Sequence, residues 1–117
     1  MKVQAIVPMA YVNDIDATVR FYSSTLGFKV ANRTEIWACL EKDGVEFMIS
    51  LPNQHEPFSV PTFTGSFYFR IGDVNQLWNE LKDKADVVYP IETFAYGMRE
   101  FAIRDNNGYI LQFGEAV

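Results

Sequence analysis

Glu46 and Glu100 stand within apolar strand-like segments of this 117-residue chain, where a carboxylate could serve as a base. Burial penalises the charged form, so a desolvated carboxyl holds its proton more tightly and can exchange it nearer neutral pH. Glu46, two residues from Met48, is either such a base or a partly exposed strand carboxylate, the plainer reading. Arg99-Glu100 reads either as a local ion pair or as one charge turned onto a sheet face, because the parity of that strand is open. His55 is the only histidine and lies in a stretch punctuated by Pro52, Pro57 and Pro61, with no carboxylate spaced to orient it. An exposed loop histidine is expected there. Cys39, the only cysteine, can make no intrachain disulfide and reads as a small buried apolar residue, suited to a reducing compartment. One imidazole and one thiol exclude zinc fingers and leave a Zn or Fe site short of ligands. No Ser-His-Asp, Cys-His or phosphate-loop pattern is present.

The elements that must position these groups come from periodicity. Ile15, Val19, Tyr22 and Leu26 recur at the spacing of one helical face, with Asp14 placed to cap its start and Gly27 its end. Val74, Trp78, Leu81 and Ala85 repeat that spacing, with Leu77 added, and Asp73 followed by Gln76 predicts a capping box. The two faces superpose at one constant offset, as an internal repeat requires. Each helix is preceded by a strand, Val3 to Val12 and Gly65 to Ile71. Each is followed by three more: Phe28 to Ala31, Glu35 to Glu41 and Val45 to Leu51 in the first half, and Val87 to Tyr89, Arg99 to Arg104 and Tyr109 to Gly114 in the second. Asp43-Gly44 and Asn107-Gly108 supply the positive-φ residues of two-residue hairpins. The fold class is therefore α+β, two tandem β-α-β-β-β modules. One domain, 1–117, comprises a module at about 1–52, a connector at about 53–63 and a module at about 64–117.

Strand alternation sorts the side chains. Phe67, Phe69 and Ile71 alternate with Ser66, Tyr68 and Arg70, and Leu111 and Phe113 with Gln112, so one face is packed and the other meets water or a ligand. Parity puts Glu46, Met48 and Ser50 opposite Val45, Phe47 and Ile49. Tyr11, Met48, Ser66, Tyr68, Arg70 and Gln112 are expected on the polar face. Trp37 is either a stacking platform for a planar ligand or part of the core. Phe94, Tyr96 and Met98 fall in a predicted loop and fit a lid, a dimer contact or a tucked-in loop.

Ten basic against fifteen acidic residues give a net charge of −5, with no Lys/Arg cluster, so nucleic acid is not the expected partner. No uncharged run is long enough to span a membrane, and the N-terminus lacks a signal-peptide pattern, so the cytoplasm is the expected compartment.

A duplicated unit of this kind resembles the vicinal oxygen chelate superfamily, which includes glyoxalase I, extradiol dioxygenases and bleomycin resistance proteins. The segments that carry the likeness are Val12-Asn13-Asp14-Ile15-Asp16-Ala17-Thr18-Val19-Arg20-Phe21-Tyr22 with Leu26-Gly27-Phe28, then Gly97-Met98-Arg99-Glu100-Phe101 and Arg104-Asp105-Asn106-Asn107-Gly108-Tyr109. The resemblance implies that the two modules pair their sheets into a curved, concave cleft with the helices outside. The superfamily's metal positions fall on Val7, Met48, Ser66 and Gln112, and Val and Met offer no hard oxygen or nitrogen. Ile6-Val7-Pro8-Met9 is similar to the early strand of the bleomycin-resistance branch. That branch implies an acidic homodimer that sequesters a cationic or aromatic small molecule without metal, cofactor or turnover. The alternative is a superfamily lyase, isomerase or dioxygenase with a relocated metal site, or one using Glu46 or Glu100 as base.

Overall fold

The computed structural model describes residues 1–53, 55 and 58–117, and the expected connector residue Pro57 lies outside them. The chain divides into two compact units, Met1–Pro61 and Thr62–Val117. The first contains β1 (Met9–Tyr11), α1 (Ile15–Leu26), β2 (Lys29–Arg33), β3 (Trp37–Lys42) and β4 (Val45–Ser50). The second contains β5 (Phe67–Arg70), α2 (Val74–Leu81), β6 (Asp86–Phe94), β7 (Met98–Arg104) and β8 (Ile110–Ala116). Each unit is a β-α-β-β-β module with a four-stranded mixed sheet, ordered β1-β4-β3-β2 and β5-β8-β7-β6. In both, the first strand pairs parallel with the last and the remaining pairs are antiparallel. The α+β class and the duplicated module are thus as the periodicity predicts. Among the described residues no helix is long and apolar enough to cross a membrane.

The side chains that form α1 also fix its packing. Asp14 caps its N-terminus by accepting from the Ala17 amide at 2.9 Å, and Gly27, at φ 76°, closes its C-terminus in the left-handed conformation. Tyr22 is fully buried from α1, stacks on Phe47 of β4 at 5.2 Å and meets Phe28 edge-on. Ala38, Leu40 and Ile49 complete that core. In the second unit Val74 and Leu81 are buried from α2, while Trp78 packs on Phe101, which in turn lies against Phe113. Burying one such large apolar side chain stabilises the fold by about 1.5–3 kcal/mol.

Several boundaries differ from expectation. The strand expected over Val3 to Val12 is reduced to Met9–Tyr11. Pro8 lacks an amide hydrogen and contributes only its carbonyl, which accepts from the Met48 amide at 2.9 Å, while Val3 and Ile6 are exposed. The helix expected to reach Ala85 ends at Leu81, because β6 begins at Asp86 and the chain must turn first. The capping box at Asp73 forms by half: Asp73 is the N-cap and its side chain accepts from the Gln76 amide at 3.4 Å, but the return bond is missing. Gln76 directs its side chain to Glu80 instead, and the amides of Asp73 and Val74 both donate to the carboxylate of Glu115 on β8, each at 3.0 Å. Asp43 and Gly44 do form the expected two-residue turn, with φ of 53° and 80°. The second hairpin is wider, because Asp105 Oδ1 accepts from the amides of both Asn107 and Tyr109 and holds the loop open.

Two outcomes follow from these contacts. Phe101→Ala should cost about 3–5 kcal/mol in urea unfolding, the range for emptying an aromatic core position, and a cost under 1 kcal/mol would contradict the packing described. The two amides hold the Glu115 carboxyl below its usual pKa, so its contribution is present above the unfolded value of about 4.3 and is lost as pH falls through the lower folded value. Glu115→Ala should therefore lower the thermal midpoint at neutral pH, with a deficit that narrows on acidification. An equal deficit at neutral pH and at about pH 3 would show that the carboxylate is not what caps α2.

Candidate functional site

Two rows of facing residues cross the second sheet on the side away from α2. Register sets Tyr68, Gln112, Ala102 and Tyr89 side by side on β5, β8, β7 and β6, and next to them Arg70, Gly114, Glu100 and Glu92. Glu100 is only 1% exposed, although its neighbours in sequence are an arginine and a phenylalanine. Parity explains this: Arg99 turns the other way, to Asn75 and Thr93, leaving Glu100 on the face of Gln112 and Tyr68. The ion-pair reading of Arg99-Glu100 is thereby overturned.

Four donors converge on the Glu100 carboxylate. Tyr68 and Tyr96 donate to Oε1 at 2.9 and 2.6 Å, and Tyr89 and the Gln112 amide to Oε2 at 2.5 and 3.3 Å. Gln112 also donates to the Tyr89 hydroxyl at 2.8 Å and accepts from Ser66, so one chain of bonds runs from the residue before β5 through β8 to β6. Small residues make the convergence possible. Ala102 leaves a gap between Gln112 and Tyr89, and Gly114 leaves one beneath Tyr68. A Cβ on residue 114 would lie 2.0 Å from the Tyr68 hydroxyl, so only glycine lets that ring reach across to Glu100.

The electrostatics follow from the geometry. Burial would raise the Glu100 pKa, but the bonds from Tyr89, Tyr96, Tyr68 and Gln112 outweigh it and hold the group as a carboxylate. The charge is paid back to its donors: burial and the bond to Glu100 push Tyr89 up to about 12 and raise Tyr68, and the same bond raises Tyr96. Among the described residues Glu100 takes part in no ion pair. Arg70 lies one strand beyond Gly114, is exposed, and acts only as a charge opposing the rise at Tyr68.

The predicted loop carrying Phe94, Tyr96 and Met98 is instead a tight hairpin. Phe94 closes β6, Met98 opens β7 opposite it, and Gly97 turns at φ 87°. Phe94 and Met98 belong to a longer strand pair and Tyr96 to its turn, a continuity that the interruption of register between Tyr89 and Glu92, around Pro90, conceals in the sequence. Phe94 and Tyr96 stack at 5.4 Å with planes 7° apart, and Tyr89 meets Phe94 edge-on.

In the first unit the corresponding face carries Tyr11, Ser50 and Trp37 in one row and Met9, Met48 and Cys39 in the next. Trp37 is half-buried and lies on the side opposite Ala38 and Leu40, so it is not part of the core under α1. Tyr11 accepts from Asn53 at 2.6 Å and meets Phe58 edge-on. Cys39 is buried as expected, yet it is not merely apolar, because it shares the face of Met48 and donates to the Glu46 carboxylate at 2.9 Å. Burial and that bond push its thiol up to about 11, far from a reactive thiolate. Glu46 is exposed, the plainer of its two readings, and so is His55, whose amide donates to Asn53.

A metal does not fit the residues at the positions the resemblance points to. Val7 and Met48 offer no oxygen or nitrogen side-chain donor, and Ser66 and Gln112 are bonded to each other. Among the described residues no three His, Cys, Asp or Glu side chains gather where they could hold a metal ion. Tyr89 and Gly114 complete the cluster without standing out in the sequence. The visible signal was a tyrosine on an apolar strand and a glycine inside one, and only the register ties them to Glu100.

Residues 4–113 match the Glyoxalase/Bleomycin resistance protein/Dioxygenase superfamily, and the chain belongs to it. No curated protein matches. Solved structures agree on the fold. A protein of unknown function from Agrobacterium tumefaciens str. C58 superposes with a TM-score of 0.84 at 22% identity, over 100% of this chain and 97% of that one. TioX from Micromonospora sp. ML1 gives 0.76 at 22%, over 98% and 100%. Lactoylglutathione lyase from Agrobacterium tumefaciens gives 0.73 at 17%, over 98% and 96%.

The shared carboxylate has a spectroscopic consequence. In an ultraviolet pH titration, Tyr89 should ionise only near pH about 12, and Glu100→Gln should move that step to lower pH by removing the charge opposing it. An unchanged titration in the variant would mean that the hydroxyls do not share Glu100.

Proposed function

We propose that this protein binds a cationic or aromatic small molecule without a metal, as a homodimer of the bleomycin-resistance type. The observation that carries the reading is the buried, anionic Glu100, met entirely by neutral donors and ringed by Tyr68, Tyr89 and Tyr96. A buried carboxylate with no counter-ion leaves its field unbalanced, and a bound cation balances it. The donor chemistry of Val7, Met48, Ser66 and Gln112 supports the metal-free part. Ligand-facing residues in this reading are Tyr68, Gln112 and Arg70 on the second sheet, and Tyr11, Trp37 and Met48 on the first. Glu100 is unsuited to act as a base, because its acceptor positions are filled and its pKa is held down. Glu46 is exposed on β4 and its carboxylate already accepts from the Cys39 thiol.

A ligand that binds only the folded state raises stability by about 2.7 kcal/mol at a hundredfold excess over Kd. A thermal-shift screen of aromatic amines and ammonium compounds should therefore find stabilising ligands whose effect survives EDTA. Stoichiometric metal in protein purified without chelators, with ligand binding or turnover abolished by its removal, would overturn the proposal.

A further inference from the structure

The carboxylate at the centre of this cluster has no acceptor position left to offer, and this narrows the cation it can serve. Each carboxylate oxygen of Glu100 already accepts two hydrogen bonds, Oε1 from Tyr68 and Tyr96, Oε2 from Tyr89 and Gln112. A carboxylate has about four lone-pair sites in all. A primary ammonium or guanidinium, which must replace its lost water with acceptors, would have to break one of these bonds to dock. A cation without N–H groups loses no hydrogen bonds to water and needs only negative potential and contact.

The rings supply that potential. Tyr68, 39% exposed, and Tyr96, 65% exposed, present their surfaces outward while their hydroxyls donate inward to the carboxylate. Each donated bond passes part of the carboxylate charge to the phenol, because hydrogen bonds in a low-dielectric site polarise one another. An aromatic face attracts a cation through its quadrupole, and a phenol bonded to an anion attracts it more strongly. Phe94 stacks behind Tyr96 and meets Tyr89 edge-on, so the three rings support one another.

Resting on the binding function proposed above, we infer that the Tyr68, Tyr89 and Tyr96 rings around Glu100 form a subsite for a quaternary ammonium group. The anion is read through the rings rather than by a direct salt bridge. Selectivity then runs opposite to that of an open carboxylate: the fully methylated cation is preferred to the primary one. Arg70 opposes the site from β5, across Gly114, as an exposed like charge.

Calorimetry on the full chain with benzyltrimethylammonium, benzylammonium and benzyl alcohol tests this, with the tyrosine ring resonances followed by NMR. Benzyltrimethylammonium should bind at least tenfold more tightly than either of the others and shift the Tyr68 and Tyr96 resonances. Tyr96→Leu, which removes one of the four donors to Glu100 and is therefore checked for folding by circular dichroism, should weaken it at least fivefold, and Arg70→Gln, at an exposed position outside the Glu100 network, should strengthen it. Equal or tighter binding of benzylammonium would overturn the inference in favour of a direct ion pair. Absence of benzyltrimethylammonium binding, or binding unaffected by Tyr96→Leu, would overturn it too. If other cationic or aromatic compounds still raise the thermal midpoint, the broader proposal stands without this subsite, and if none does, both fall.

Discussion

A carboxylate withdrawn from water must be met by donors or by a cation, and in the second module Glu100 is met by donors alone. That requirement organises the polar side of the sheet. Three strands and a hairpin turn each send a group to one point: Tyr68 from β5, Gln112 from β8, Tyr89 from β6 and Tyr96 from the turn before β7. The small residues between them follow from the same requirement. With a side chain larger than glycine at 114, Tyr68 could not cross β8, and Glu100 would lose a donor while remaining buried. A hydrogen bond to a charged group is worth about 1.5–3 kcal/mol, so filling the four positions separates a tolerable buried charge from an untenable one.

The duplicated frame makes the specialisation visible. Register places Trp37 in the first module where Glu100 stands in the second, Ser50 where Gly114 stands, Cys39 where Ala102 stands, and Met9 and Tyr11 where Tyr68 and Arg70 stand. The opposite faces are alike, since Phe47 and Ile49 correspond to Leu111 and Phe113 in kind and all four are buried under a helix. Packing against a helix constrains one face of each sheet to apolar residues of similar volume, while the other face is free to diverge. One module accordingly carries a thiol, a thioether and an indole, and the other a hydrogen-bonded anion ringed by phenols.

What could be read from the sequence divides along the same line. Helix caps at Asp14 and Gly27, the Asp43-Gly44 turn and the apolar alternation of β4, β5 and β8 are local, and each depends on residues within a few positions of one another. The duplicated module followed from them. The site was legible only in part: Ser66, Tyr68 and Gln112 emerged from alternation, and Glu100 as a charge of undecided direction. Its direction depends on the pairing of β7 with β8, and the reach of Tyr89 on irregular pairing between β6 and β7 near Pro90. Neither leaves a periodic trace. The cap of α2 was legible for a local reason at Asp73, which accepts from the Gln76 amide, whereas the acceptor that takes the Asp73 and Val74 amides, Glu115, arrives from a strand some forty positions away.

The saturation of Glu100 also bears on what kind of chemistry the face supports. General-base catalysis requires a carboxylate with a free lone pair and a pKa near the working pH, whereas this one has neither. The phenols are no better as acids or bases, because sharing the anion drives their ionisation away from neutrality. Every proton in the cluster is held by the group that already owns it. A network of this kind moves protons poorly and holds a fixed potential well, and a fixed negative potential beneath exposed rings is what the proposed binding of a cation requires.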